Sequence, residues 1–313
     1  MLRNGEIINN HLVLEYKGAG SFAHVYKVQH QATKNLFALK LCKSLDANDL
    51  NLFHDEHSIL QTLSPHRNII IPYSSPTPHT TSHLYYLMEL ADYALEKLLT
   101  STQAIITDEE KVRIFHEVCE GLQHAHSNNI LHRDLHWDNI LVVRTNEIKI
   151  SDFGLGKQFD ANRFGNSVKP RWGGFVSPPE FYFEVHDDNT PISRYIPGDI
   201  YALGIVLYYL FDNIPMRYVS EIYDNMQDFI INKENLDLST MDTSAKTESY
   251  KKWAKSVHTI NNLDVYLKSD SASLKVNEII KKATNPDLDL RYRTVGEILE
   301  EVQNIFIGHL QTY

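Results

Sequence analysis

The feature that most constrains this chain is a polar loop near the middle of the sequence, followed by a short hairpin. The loop reads His-Arg-Asp-Leu-His-Trp-Asp-Asn and contains the carboxylate of Asp134 and the carboxamide of Asn139. The apolar residues that follow predict a short β-hairpin, and Asp152 comes after it in the sequence Ser-Asp-Phe-Gly. The fold therefore has to hold two carboxylates and one carboxamide at the two ends of a hairpin.

Length and charge limit the classes of protein that fit. The 313 residues are 42% hydrophobic, which is enough to bury the core of one large domain or of two lobes. A net charge of −10 argues against nucleic-acid binding, and no apolar run is long enough to span a membrane. The segment from Met1 to Asn10 has no continuous apolar stretch, so a signal peptide is not expected. Cys42 and Cys119 lie in apolar patterns without metal or disulfide spacing, so we expect them in the core of a protein in a reducing compartment.

The first third of the chain has the pattern of an antiparallel sheet with one helix. Helical periodicity covers Asn48 to Leu63. Five short runs with strand composition surround it. These runs are Leu12 to Leu14, Val25 to Val28, Leu36 to Leu41, Asn68 to Tyr73, and His83 to Met88.

The remainder of the chain is predicted to be mainly helical. Thr107 and Glu110 form a capping box before a helix that leads to the polar loop. Ile200 to Phe211 predicts a second, buried helix, and Val295 to Ile307 predicts the last one. Ser220 to Ser273 is polar and weakly periodic, so only peripheral structure is expected there.

A glycine-containing turn joins the first two predicted strands. It reads Gly18-Ala19-Gly20-Ser21, and Val25 follows shortly after. Two residues without a Cβ atom allow the backbone to fold over phosphate groups, and Val25 could then cover an adenine ring. A turn with two glycines is also common in ordinary hairpins. This motif therefore indicates phosphate binding only in combination with its spacing to Lys40.

Lys40 is a single cation on an otherwise apolar strand, and Glu56 lies on the inner face of the following helix. This carboxylate can orient Lys40 toward the α- and β-phosphates of a nucleotide. Asp134 could accept the proton of an attacking hydroxyl group. Asn139 and Asp152 offer the oxygen ligands that Mg²⁺ prefers.

These motifs, in this order, resemble those of the eukaryotic-type protein kinase superfamily over about Leu12 to Ile307. The resemblance implies a bilobal α+β fold in a single domain over residues 1–313, with an N-lobe at about 8–88, a hinge at 89–92 and a C-lobe at about 93–310. It implies an ATP site in the cleft. By resemblance, the adenine would contact the gatekeeper Met88, the hinge residues Glu89 and Ala91, and the apolar side chains of Val25, Ala38 and Leu141.

The resemblance also assigns structural roles further along the chain. His132 and Phe153, with Leu60, would stack as a spine between the lobes. Asp199 would brace the polar loop. Glu180, in Ser-Pro-Pro-Glu, would pair with a late arginine, for which Arg291 fits better than Arg293.

Several departures from the family pattern leave the identity of the phosphoryl acceptor undecided between a protein and a small molecule. Ala23 replaces the third glycine of the phosphate loop, and His136 stands where serine/threonine kinases usually have a lysine. The loop is similar to that of haspin-like kinases and to the loops of aminoglycoside and choline kinases. Ser167 is the only hydroxyl residue between Leu155 and Val176, and Arg133 could bind a phosphate on it.

Taken together, the sequence predicts transfer of the γ-phosphoryl group of Mg-ATP, with Mn²⁺ as a possible substitute, to a protein hydroxyl group, most simply serine or threonine. A pseudokinase scaffold, a tyrosine kinase and a small-molecule kinase remain alternatives. A protein substrate is expected, with no nucleic acid and no membrane span, and the sequence does not indicate an oligomeric state. The expected location is the cytoplasm, or the host cytosol for a secreted effector.

Overall fold

The computed structural model describes residues 1–20, 22–79, 83–100, 106–144, 146–154, 157–158, 176–186, 190–212, 215–257 and 271–310. A curled antiparallel sheet with one long helix occupies the N-terminal part, and helices dominate from residue 95 onward. The predicted α+β class is therefore confirmed.

Within the described ranges, the N-terminal sheet has six antiparallel strands. They are β1 (Ile7–Ile8), β2 (His11–Ala19), β3 (Ala23–His30), β4 (Leu36–Cys42), β5 (Thr77–Pro78) and β6 (Leu84–Met88). Their order in the sheet is β1-β2-β3-β4-β6-β5. Side chains alternate between its two faces, as the strand period of two requires. One face buries Val13, Val28 and Leu39, and the other directs Ala38 and Met88 toward the main core.

One predicted strand is wrong. The segment from Asn68 to Tyr73 forms only isolated bridges, from Ile69 to Ile150 and from Pro72 to Met88. Its hydrogen bonds go to two different parts of the fold, and Pro72 has no N–H group with which to continue a ladder. The segment therefore crosses between the sheet and the central hairpin instead of joining either one.

The long helix α1 (Ala47–Leu63) packs under the sheet and begins at a side-chain cap. Asp46 accepts a hydrogen bond of 2.9 Å from the backbone N–H group of Asn48. Phe53, Leu60 and other apolar side chains at helical spacing are buried, as predicted. Glu56 lies on the same buried face, where an unpaired carboxylate would be costly.

The C-terminal part consists mainly of helices. They are α2 (Leu95–Thr100), α3 (Asp108–Ser127), α4 (Pro179–Tyr182), α5 (Ile196–Asp212), α6 (Pro215–Asp228), α7 (Thr243–Val257), α8 (Ser271–Ala283) and α9 (Val295–Leu310). The other helices surround α5, which is nearly all apolar. The capping box of Thr107 and Glu110 is confirmed at the start of α3. None of the helices in the described ranges has both the length and the apolar character that crossing a lipid bilayer requires.

Short strands position the polar loop between the two parts. The hairpin consists of β9 (Ile140–Val143) and β10 (Glu147–Ile150), and β7 (Tyr93–Ala94) pairs with β9. A second small pair joins β8 (Ile130–Leu131) to β11 (Lys157–Gln158). The polar loop lies between β8 and β9, so both of its ends are held by sheet hydrogen bonds. Cys42 and Cys119 are both buried and unpaired, as predicted.

Candidate active site

Lys40 lies at the centre of a buried group of charged side chains. Its Nζ atom is 2.5 Å from Glu56 Oε1 and 3.2 Å from Asp152 Oδ1. The sheet register places Tyr86 directly across from Lys40, and the Tyr86 hydroxyl group donates to the same Glu56 oxygen at 3.0 Å. The predicted pairing of Lys40 with Glu56 is thus present, with Asp152 as a second partner.

The charges of this group fix the ionisation of Lys40. Burial lowers the pKa of its ammonium group, but the carboxylates of Asp152 and Glu56 outweigh burial and raise the pKa above its usual value. Burial raises the pKa of Asp152, but the charge of Lys40 reverses this and keeps the pKa below normal. Lys40 is therefore a permanent cation and Asp152 a permanent anion at neutral pH.

Asp199 holds the backbone of the polar loop, as predicted. It is fully buried and accepts hydrogen bonds from the N–H groups of His132, at 2.9 Å, and Arg133, at 2.8 Å. His126 contacts the same carboxylate at 2.8 Å. Arg133 adopts a φ angle of 63°, a left-handed conformation that is costly for a residue other than glycine. The hydrogen bonds to Asp199 compensate for this cost.

Asp134 and Asn139 face each other across the loop. The Asn139 Nδ2 atom donates to the backbone carbonyl of Asp134 at 2.8 Å and lies 3.4 Å from its carboxylate. The ring of His136 is 3.8 Å from Asp134 Oδ1 and 3.1 Å from Asn139 Nδ2. Burial raises the pKa of Asp134 to about 6, although the neighbouring His136 opposes the shift. Asp134 is therefore a stronger base than an exposed aspartate.

The residues that flank Asp152 are packed tightly. His132 donates to the Ser151 carbonyl at 3.0 Å, and its ring centroid is 4.5 Å from that of Phe153. Both rings and Leu60 belong to the buried interior, which agrees with the predicted spine. Asp152 has a φ angle of 58°, so the chain turns sharply here and directs this carboxylate toward Lys40.

A cleft of about 710 Å³ lies in front of these side chains, within the size range of small-molecule sites. The glycine turn covers it closely, since a Cβ atom on Gly20 would lie 3.5 Å from Asp152 Oδ2. Ser21 lies outside the described residues. The predicted ligand-binding residues that line the cleft are Gly18, Ala19, Gly20, Val25, Ala38, Lys40, Met88, Glu89, Ala91, Leu141 and Asp152, together with Glu56, Asp134 and Asn139.

Two hydrogen-bonding groups of Glu89, at the predicted hinge, already have partners within the protein. Its N–H group donates to the Ile71 carbonyl at 2.9 Å, and its carboxylate pairs with buried Lys149 at 3.2 Å. The side chain thus points away from a ligand. Only backbone atoms of Glu89 are then suited to an adenine edge, together with those of Ala91, which also lines the cleft.

Downstream, Arg291 is the partner of Glu180. Two hydrogen bonds of 2.8 and 3.2 Å join the guanidinium group to the carboxylate, and both side chains are buried. Arg293 instead donates its N–H group to Glu297. Ser167 and its neighbours lie outside the described residues, so the hypothesis of phosphorylation at this serine stays a prediction.

Three residues near the site were not assigned a role by sequence reasoning. Tyr86 could have been found from the strand period, which places it on the face of Met88. Lys149 gave no signal, because a lysine on a hairpin strand usually faces solvent. The contacts of His136 were also not predicted, since they depend on the bend of the loop.

Comparisons with known proteins agree with this geometry. The family model described as "Protein kinase domain" matches residues 13–302. Human cyclin-dependent kinase 9 is 31% identical over 201 residues, which cover 59% of this chain and 52% of that protein. Serine/threonine-protein kinase PLK4 of Aedes aegypti is 29% identical over 65% of this chain and 26% of its own length. A protein of Acanthamoeba polyphaga mimivirus that carries the name of a serine/threonine-protein kinase is 27% identical over 97% of this chain and 51% of its own length. The chain spans about half the length, or less, of these relatives.

Proposed function

Because the chain belongs to the protein kinase domain family, we propose that it is an active serine/threonine protein kinase that transfers the γ-phosphoryl group of Mg-ATP to a protein hydroxyl group. One observation carries the proposal. Lys40 contacts Glu56 and Asp152 at the same time, in a cleft that Asp134 and Asn139 also line. Kinase relatives named for serine/threonine activity support the choice of acceptor.

The cleft suits an adenine nucleotide. Val25, Ala38 and Leu141 offer apolar contacts to a base, and the backbone of Glu89 and Ala91 offers polar groups. The glycine turn and Lys40 also line the cleft, and they offer the close backbone approach and the positive charge that phosphate groups need. When bound, Mg-ATP supplies the transferable phosphoryl group and the charge of the cation.

Asn139 and Asp152 are the residues that would hold the cation. Both carry oxygen donors, which hard divalent ions prefer, and Asp152 keeps its negative charge because Lys40 lowers its pKa. Mg²⁺ is the expected ion, and Mn²⁺ has similar preferences. Neither Asn139 nor Asp152 offers the imidazole nitrogen or thiolate sulfur that would favour zinc or copper.

Each remaining side chain has a separate task. Lys40 holds the α- and β-phosphates, and Glu56 and Tyr86 fix the direction of Lys40. Asp134 orients the acceptor hydroxyl group and takes its proton, for which a raised pKa is favourable. Asp199 keeps the loop that carries Asp134 in a single conformation.

Removal of single charges tests the site. Lys40→Met and Asp152→Ala should each abolish transfer from labelled ATP to a generic protein substrate. Lys27→Met, which removes a charge from the neighbouring strand β3, should not. Calorimetric titration should show weaker nucleotide binding in Lys40→Met and a lost dependence on Mg²⁺ in Asp152→Ala. Transfer that persists in either variant would contradict the proposed roles.

The same assay separates the alternatives. A pseudokinase scaffold would bind nucleotide or partner without transferring phosphate, and a small-molecule kinase would phosphorylate sugars or choline but no protein. Phosphoamino-acid analysis of the product distinguishes serine or threonine from tyrosine.

We further propose that the protein acts in the cytoplasm and, given its net charge of −10, without nucleic-acid partners.

A further inference from the structure

Lys43 contacts the end of the glycine turn from outside the cleft. This residue follows the end of β4, three positions after Lys40, and its ammonium group donates to the Gly20 carbonyl at 2.5 Å. Its backbone N–H group donates to the Phe22 carbonyl at 2.9 Å. Lys43 is exposed and is not among the described residues that line the cleft. A lysine with no part in the site described so far therefore binds two carbonyl groups beside the site.

The backbone of Lys43 is held in place by the sheet. The residue before it, Cys42, pairs with Ala23 on the neighbouring strand, and both are almost completely buried. The Gly20 N–H group donates to the carbonyl of the same Ala23 at 3.0 Å. Lys43 thus starts from a fixed backbone position close to Gly20, and only its side chain has to be ordered to reach the carbonyl.

Among the described residues, no carboxylate forms an ion pair with Lys43. Burial lowers the pKa of His24, on the strand that follows the turn, and the charge of Lys43 lowers it further. The ammonium charge therefore acts on the residues around the turn. A hydrogen bond from a charged donor is about twice as strong as one between neutral groups. The contact with Gly20 is accordingly stronger than an ordinary hydrogen bond at the protein surface.

The direction of the Gly20 carbonyl matters in a turn that binds phosphate groups. A carbonyl oxygen carries a partial negative charge, so it would repel phosphates if it faced the cleft. Gly20 lies where the turn approaches Asp152, since a Cβ atom at this position would be 3.5 Å from Asp152 Oδ2. Glycine permits rotation of the adjoining peptide units at little steric cost. Without a partner outside the cleft, this carbonyl could therefore turn toward the phosphates.

We propose that Lys43 is a positioning residue for nucleotide binding, which keeps the Gly20 carbonyl turned away from the phosphate groups of Mg-ATP. This inference rests on the proposed kinase function and deepens it, because it gives Lys43 a role distinct from that of Lys40. Lys40 attracts the phosphates from inside the cleft, whereas Lys43 keeps a repulsive dipole outside it. The contribution of Lys43 therefore depends on the phosphates of the ligand and not on its adenosine part.

Calorimetric titration with adenosine, Mg-ADP and Mg-ATP tests this role. Lys43→Met should raise the Kd of Mg-ADP and of Mg-ATP about fivefold, because the carbonyl loses its charged donor, and should leave the Kd of adenosine unchanged. KM for Mg-ATP should rise to a similar extent, with little change in kcat. Lys43→Arg keeps a long cationic donor and should bring both Kd values back to within about twofold of the original. Equal weakening of adenosine and Mg-ATP binding would overturn the inference, because the variant would then act through the fold.

Lys34→Met is the matched control, because it removes the same charge from the same sheet. Lys34 is exposed between β3 and β4, and within the described residues only its backbone makes hydrogen bonds. This variant should leave all three Kd values unchanged. The effect of Lys43→Met should persist in about 0.5 M salt, since salt screens a distant charge far more than a direct contact. An effect that Lys34→Met reproduces, or that salt abolishes, would assign it to general charge attraction and reject the positioning role.

The outcomes also distinguish this inference from the proposed function. A protein that binds no Mg-ATP, or that binds it and phosphorylates no protein, contradicts the kinase proposal itself. A protein that binds Mg-ATP and transfers phosphate, with equal Kd values before and after Lys43→Met, retains the kinase function and refutes only the role of Lys43.

Discussion

The hydroxyl group of Tyr86 offers a quantitative test of how the buried charges are held. Tyr86→Phe removes one hydrogen bond of 3.0 Å to Glu56 and keeps the ring, which packs on Phe53 and His57. A hydrogen bond to a charged group contributes about 1.5–3 kcal/mol to stability. Glu56 keeps its contact with Lys40, so the loss in free energy of unfolding should be near the lower end, about 1.5 kcal/mol.

Strand β6 contains a matched control for this variant. Tyr85 is also buried, but its hydroxyl group accepts from the neutral side chain of Asn9, which is exposed. Tyr85→Phe should therefore cost only about 0.5 kcal/mol. Urea unfolding of both variants measures the difference directly, because the removed atoms are identical. Equal losses, or a smaller loss for Tyr86→Phe, would refute the argument that the charge on Glu56 gives this bond its strength.

Further predictions concern the acid limb of the rate profile, the late arginine and helix packing. The value of kcat/KM should fall as pH drops below about 6, because Asp134 must be ionised to accept a proton. His136→Ala should shift this acid limb to higher pH, because it removes the charge that lowers the pKa of Asp134. An acid limb near pH 4, in stopped-time assays with labelled ATP, would contradict this. Arg291→Met should lower the free energy of unfolding by about 3–5 kcal/mol, since Glu180 is left buried without its partner, whereas Arg293→Met should change it by less than about 0.5 kcal/mol. Comparable urea midpoints for the two arginine variants would show that the pair adds little. Gly204→Ala should cost about 1–3 kcal/mol, because its Cβ atom would lie 2.8 Å from Ala283 and Thr284. Gly296→Ala serves as the control, because its Cβ atom would lie 3.3 Å from the flexible end of Gln123 and 3.7 Å from the Thr294 hydroxyl group. Equal thermal stabilities of the two variants would count against tight packing between α5 and α8.

Much of the fold was predictable because local patterns and tertiary packing agree. The start of α3 carries its own capping signal, and α1 and α5 have apolar faces that match their buried sides. The segment from Asn68 to Tyr73 could not be predicted correctly. Its strand composition is real, but its backbone hydrogen bonds are divided between Ile150 on one side and Leu87 and Glu89 on the other. That division depends on contacts far away in the sequence.

The candidate site was predictable to a different degree for each residue. Lys40, Glu56 and Asp152 were identified by residue type and spacing, and the structure brings them within hydrogen-bonding distance. The orientation of Glu89 was not identified. Its pairing with Lys149 requires β10 to lie against the residue that follows β6, which is far away in the sequence. Sequence patterns indicate which groups are available, whereas the direction of each side chain depends on packing.

The segment from Asn68 to Tyr73 also determines how the cleft can open. It is hydrogen-bonded to the hairpin at Ile150 and to the end of the sheet at Leu87 and Glu89, so the N-terminal and C-terminal parts are held together along this line. Rotation about that line would leave the back of the cleft almost unchanged while it carries Gly20 away from Asp152 at the front. We therefore expect a hinge motion about this segment. Ligand entry would change the width of the cleft opening near Gly20 and leave the residues at the back of the cleft in place.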